Sequence, residues 1–246
     1  MANWSDPRSD IAGFGGATTA ARGEAFDAGL RRYMLSVYNY MASGVLLTGI
    51  VALLFASSGM AAQVLGGPGI LKYVIMFAPL VFVMVLSFGI NRLSTAAAQG
   101  LFWAYAAVMG LSLSSIFLVY TGTSIAQTFF ATSAAFVGLS LFGYTTKKDL
   151  SGFGTFLIMG VIGLLVASLI NLFLKSSVMD LVISGVGVLL FAGLTAYDTQ
   201  KIKSIYAHVA GTDMMGKSVV MGALNLYLDF INMFLFLLRF MGGNRD

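Results

Sequence analysis

Asp229 lies within the stretch Asn225–Phe240, NLYLDFINMFLFLLRF, and is the only charged residue between Lys217 and Arg239. A charge at mid-bilayer costs about 2.5–3.5 kcal/mol on insertion scales, so such residues face a bundle interior and tend to be functional. Asn225, Asp229 and Asn232 follow at i, i+4 and i+7, which puts them on one polar stripe of a helix. Asp198 closes an earlier apolar run in GLTAYDTQKIK. A helix C-terminus disfavours negative charge, and Lys201 at i+3 offers it a surface partner. Arg92 ends another run in FGINRLST. It reads either as an anchor at the membrane face or as a cation able to pair with a buried acid. The chemistry open to these residues is proton sharing between carboxylates and charge pairing across helices.

Other chemistries find less support. The chain has no cysteine, which removes disulfides, thiolate metal sites and a cysteine nucleophile. One histidine, His208, cannot form a zinc cluster by itself. Ser-His catalysis would need GLSLSS (Gly110–Ser115) to meet His208, which falls in a connection between spans. A retinal protein needs a lysine in its last span, and Ser218–Leu238 has none. A two-aspartate protease would use Asp198 and Asp229 from neighbouring spans, yet no glycine adjoins either one to let a substrate backbone approach. Asn39 and Asn171 read as amides that bond neighbouring helices. The reading is of a protein that is not an enzyme.

The elements that must hold these residues are membrane helices. Of the 246 residues, 58% are hydrophobic and 10% charged, a composition that excludes a soluble domain. The 14 Lys and Arg are scattered at the ends of apolar runs, so the net charge of +4 does not point to nucleic acid. Helices that cross the hydrocarbon core need about 20 apolar residues. Charge-free stretches place spans at Tyr33–Ala56, between Lys72 and Arg92, near Leu101–Val119 and Ile125–Tyr144, between Asp149 and Lys175, from Met179 to Asp198 or beyond, and at Ser218–Leu238. YTGTS (Tyr120–Ser124) is the turn between the third and fourth. Tyr73, Trp103, Tyr105, Tyr120 and Tyr144 read as interface aromatics, with Trp103 and Tyr105 able to lie deeper. The 29 glycines read chiefly as close-packing positions.

Residues 1–29 form a polar, flexible arm, and residues 30–246 the seven-helix domain. With the N-terminus in the cytosol, Arg8, Arg22, Arg31, Arg32, Arg92, Lys147, Lys148, Lys201, Lys203 and Lys217 are inside; Lys72, Lys175, Arg239 and Arg245 are outside. That bias sets the orientation. An odd number of spans then puts the C-terminus outside, unless the last helix is re-entrant.

Three segments resemble the Bax inhibitor-1 family, the transmembrane Bax-inhibitor-motif proteins, in its bacterial branch. They are NLYLDFINMFLFLLRF in the last span, AYDTQKIK at the end of the sixth, and TTKKDLSGFGTFL (Thr145–Leu157) entering the fifth. The likeness covers nearly the whole chain after about Gly29. It implies an all-α integral membrane fold of seven helices, the last enclosed by the other six. It also implies a pH-sensing aspartate pair, here Asp198 and Asp229, a closing arginine, here Arg92, and a slow calcium leak. Some members carry an acid deeper in the second span, where this chain has apolar PLVFVMVL (Pro79–Leu86).

The resemblance suggests a mechanism. Two carboxylates in a low-dielectric site cannot both ionise easily and titrate as a unit. A shared proton holds their helices together; its loss creates repulsion that separation, a cation or Arg92 can relieve. Deprotonated, Asp198 and Asp229 offer oxygen ligands for a transient calcium contact. Two effects oppose each other, because the same deprotonation frees Asp198 to pair with Arg92. Calcium would be the permeant ion, with no tightly bound cofactor. One geometric condition applies: helix six must run past Lys201, or helix seven must start late, for the two acids to meet. A second reading is a membrane-embedded regulator that binds a quality-control protease or other membrane partner, with the N-terminal arm as the interaction element; on either reading the chain is a monomer or weak oligomer in a bacterial inner membrane.

Overall fold

Lipid offers no hydrogen bonds to a bare backbone, so long apolar runs satisfy their own amides as helices. The computed structural model describes the backbone of residues 9–243 and the side chains of residues 23–243. Its helices are α1 (Ser9–Ser57), α2 (Met60–Gly66), α3 (Leu71–Gly89), α4 (Thr95–Leu113), α5 (Ile116–Val119), α6 (Gly122–Thr145), α7 (Ser151–Leu174), α8 (Ser177–Val209) and α9 (Met214–Met241). Among the described residues seven stretches are long and apolar enough to span a membrane, with α4 and α5 forming one of them. All seven coincide with the spans expected from charge-free stretches.

Two boundaries differ from those expectations. Gly23–Gly29, assigned to the arm, continues α1, and the Phe26 ring packs on Tyr206 of α8 at 5.1 Å. The first eight residues of the arm lie outside the described residues. The second difference is α8, which continues 11 residues past Asp198 to Val209. Its far end is tied down: Gln200 accepts from the Leu150 amide and donates to the Lys148 carbonyl, both at 2.8 Å, and Lys203 donates to the Tyr144 carbonyl at 2.8 Å. The amphipathic TQKIKSIY therefore extends the helix over the α6–α7 connection.

Short polar side chains begin the helices. Ser94, Thr121 and Ser176 accept from the amides of Ala97, Ser124 and Met179. Asn171, read as a helix-bonding amide, instead accepts from the Ser176 amide at 3.0 Å and fastens the turn that Lys175 makes at φ 50°. Asn tolerates that task because its side chain imitates a backbone acceptor.

Burial ranks the helices. The most apolar window of α9 is 67% buried, against 39% for α8 and 11% for α3 and α7. Buried residues face every direction around α9, from Val219 and Leu224 to Met233 and Leu238, as expected of a helix enclosed by others. Its walls are α1, α4, α6 and α8; α3 packs chiefly on α4, and α7 on α8. Glycine sets the closeness. A Cβ at Gly187 would come within 2.5 Å of the Phe236 ring, and one at Gly143 would strike the backbone of Ala196. Tyr105 belongs to this core, fully buried, while Trp103 stays partly exposed and Tyr73 mostly so.

Candidate functional site

Asp229 is 4% exposed, on the enclosed helix, and its Oδ2 has no hydrogen-bond partner among the described residues. Most buried polar atoms in folded proteins are paired, so an orphaned carboxylate oxygen marks a site that something else completes. The amides of its own stripe do not complete it. Asn232 donates to the Leu228 carbonyl at 2.8 Å, one turn back on α9, and neither Asn232 nor Asn225 bonds Asp229.

Asp198 lies within electrostatic reach of it. The extension of α8 satisfies the condition that the sequence left open. Asp198 lies about 17 Å from the α8–α9 loop and Asp229 about 23 Å, counted at 1.5 Å per residue on antiparallel helices. Contacts along this hairpin fix its register. Ile202 meets Gly222, and Gly187 meets Phe236, which sets Asp198 level with the turn of α9 that contains Leu226 and Asp229. The charge of Asp198 acts on Asp229, and Lys201 acts on Asp198.

Arg92 is not part of this cluster. It follows the end of α3, is exposed, makes no ion pair among the described residues, and is not among the charges acting on either aspartate. α3 packs chiefly on α4. Arg92, the position that reads as a closing arginine, is thus an exposed cation with no ion pair among the described residues.

Several polar residues around the pair had no role in the sequence reading. Tyr227, two positions before Asp229, bonds Thr48 at 2.7 Å, and Thr48 donates to the Ala106 carbonyl at 2.8 Å. Tyr33 bonds Ser218 at 2.7 Å. The Tyr38 hydroxyl faces Thr199 and Ser140. Isolated hydroxyls in apolar helices are common, so only their spacing could have flagged them: Thr128, Thr132, Phe136 and Ser140 recur every four residues on the inner face of α6.

Chemically, the pair can hold or release protons and can offer oxygens to a cation. Among the described residues no three His, Asp or Glu side chains gather as a metal site. Calcium takes roughly six to eight oxygens, so two carboxylates supply only part of a shell. His208 is exposed, its Nδ1 3.3 Å from the Ser204 carbonyl, and Lys217 lies in the first turn of α9, three turns before Asp229.

Residues 30–246 match the family model described as "Inhibitor of apoptosis-promoting Bax1". The chain belongs to the Bax inhibitor-1 family. Relatives within and around the family are close over nearly their full length. An uncharacterized protein of Rickettsia prowazekii is 50% identical over 230 residues, which are 93% of this chain and 97% of the relative. One from Caulobacter vibrioides is 49% identical over 89% of this chain and 92% of its own. The inner membrane protein YbhL of Escherichia coli K12 is 47% identical over 220 residues, 89% of this chain and 94% of YbhL. The protein is thus an integral membrane member of the Bax inhibitor-1 family, and Asp198 and Asp229 lie inside the matched region.

Proposed function

We propose that this chain is a pH-sensitive calcium leak channel in which the protonation of Asp198 and Asp229 sets the balance between closed and open arrangements. One observation carries the reading: a carboxylate with an orphaned oxygen is held on the enclosed helix, within the field of a second carboxylate on α8. Among the described residues neither acid has an arginine partner and Lys201 acts only on Asp198, so a shared proton or a passing cation is what can offset the charge of Asp229. Membership of the Bax inhibitor-1 family supports the same reading by resemblance. Arg92 enters as the closing cation only when the end of α3 approaches α8. The arrangement with Arg92 exposed then corresponds to the unlatched state, and deprotonated Asp198 is the partner that would draw Arg92 in.

The chain would reside in a bacterial inner membrane with its N-terminus in the cytosol. Ten of its 14 basic residues fall on the cytosolic side in that orientation. Lys147, Lys148 and Lys201 line one pocket of about 300 Å³ beneath the connection from α6 to α7, which gathers basic charge at that end. YbhL, by its name an inner membrane protein, supports the same membrane.

The test is calcium flux into liposomes that contain only the purified protein, scanned from about pH 5 to pH 8. Wild type should carry calcium with a pH dependence that Asp198→Asn and Asp229→Asn both flatten. Flux no greater than in empty liposomes at every pH would overturn the reading, and would turn attention to partners of residues 1–29.

A further inference from the structure

Four hydroxyl side chains of α6 contrast in pairs. Ser133 and Thr145 donate to the carbonyls of Phe129 and Leu141, one turn back, at 2.8 and 2.7 Å. A hydroxyl in an apolar helix commonly satisfies itself this way. Thr132 and Ser140 are more deeply buried, at 0% and 5% exposure, yet neither hydroxyl has a partner among the described residues. Both fall on the face of α6 that meets α8 and α9.

Their surroundings differ from one another. Ser140 faces Tyr38 of α1, whose hydroxyl also lies toward Thr199, the residue after Asp198. Three positions further on, Gly143 touches the backbone of Ala196, so α6 and α8 are in contact beside the aspartate. Thr132 lies two turns away along α6, about 12 Å from Ser140. Midway between them Phe136 meets Phe230, which follows Asp229; the ring centroids are 5.6 Å apart at 76°. Phe129 packs on Phe230 and Phe234 at 5.7 and 6.4 Å and thickens the same plug.

We infer that α6, α8 and α9 enclose a hydrated lane at Ser140, Thr199 and the aspartate pair, and that the Phe136–Phe230 contact is a dry constriction separating it from Thr132. Its occupant is water together with small hydrated cations. Three buried oxygens, on Ser140, Thr132 and Asp229, lack a close hydrogen-bond partner among the described residues, and only Ser140 has a protein hydroxyl, that of Tyr38, facing it. Buried water typically bridges such atoms, given two to four polar partners. A ring-on-ring contact has no polar atom to hold water, and apolar constrictions of this kind gate by dewetting. This refines the channel reading by naming where its barrier lies. Hydration of the lane is measured without ion flux, so it can stand or fall separately from calcium transport.

The experiment uses the absence of native cysteine, which makes any introduced thiol unique. Full-length Ser140→Cys and Val137→Cys are placed in nanodiscs and treated with a charged methanethiosulfonate reagent, which reacts with thiolates in water. Val137 is on the same helix but 66% exposed, toward lipid. Ser140→Cys should react about tenfold faster or more. Equal rates would show the lane to be dry and overturn the inference. For the constriction, Thr132→Cys is placed in oriented vesicles and the reagent is added from the Lys147 side. Modification should be slow with Phe136 in place and about tenfold faster in the Phe136→Ala background. Phe230→Leu, which keeps apolar bulk but loses the ring contact, gives the same comparison if Phe136→Ala does not fold. Thr132→Cys reacting equally fast with and without the aromatic pair would overturn the constriction.

Discussion

The Tyr227 hydroxyl donates to Thr48 Oγ1 at 2.7 Å, because Thr48 spends its own proton on the Ala106 carbonyl. This one relay joins α9, α1 and α4, two residues before Asp229. Hydrogen bonds between membrane helices average about 0.6 kcal/mol and reach about 1.7. Thr48→Val removes both links while keeping the side-chain shape, so it should cost about 1–2 kcal/mol in reversible unfolding in mixed micelles. Tyr227→Phe should cost less, and the pair should couple by about 0.5–1 kcal/mol in a double-mutant cycle. Additive losses would mean that the two hydroxyls do not communicate.

At a pH where the pair has lost its shared proton, Asp229 should contribute nothing to stability. Its Oδ2 bonds no protein group among the described residues, so Asn in its place breaks no bond at that oxygen and removes a charge that the membrane disfavours. Asp229→Asn should unfold no more easily than wild type, with a gain anywhere up to about 3 kcal/mol. A loss above about 1 kcal/mol would identify a structural partner for the carboxylate and weaken its assignment as a gate. The readout is the midpoint of thermal aggregation in detergent, taken beside flux so that stability and function are separated.

Much of this architecture was legible in the sequence because lipid imposes a strong rule. Spans are bounded by charges, and a lone acid such as Asp229 stands out against its apolar neighbours. Asp198 was less legible, because helix length is decided by tertiary contacts: Gln200 and Lys203 bind the α6–α7 connection and hold α8 in helix to Val209. Arg92 could not be placed from its position at a span end, since that position is equally suited to an anchor and to a latch. The polar stripe of Asn225 and Asn232 was correct in spacing, but Asn232 found its own backbone first. Thr132 and Ser140 are not legible in the sequence because serine and threonine usually satisfy themselves on a helix, and these two do not.

Glycine tolerance should divide along the contacts. A Cβ at Gly143 meets the Ala196 backbone, which cannot yield as a side chain would, whereas Gly163 has open space around it. Gly143→Ala should therefore cost about 1–3 kcal/mol through overpacking and part α6 from α8. Gly163→Ala should be neutral or stabilise by up to about 1 kcal/mol, the helix-propensity gain. Comparable losses at both positions would show that the glycines matter for something other than the approach of helices.

The α6–α7 connection should loosen in acid. Asp149 accepts from the Ser151 amide at 2.9 Å, and the Ser151 side chain, then that amide, hold its carboxyl below the ordinary 3.8. A group whose folded pKa is depressed contributes fully above its unfolded value and loses that contribution as pH falls through the folded one. Protection of the Ser151 amide in hydrogen exchange should thus be steady at neutral pH and fall below about pH 4. Asp149→Ala should remove the acid dependence and lower the neutral protection factor of Ser151 to its acid level. Gln200→Ala should instead raise exchange at Leu150 at every pH, because that amide donates to Gln200 and not to Asp149. If both variants shift both amides equally, the clamp and the cap act as one unit and the assignment of separate roles is wrong.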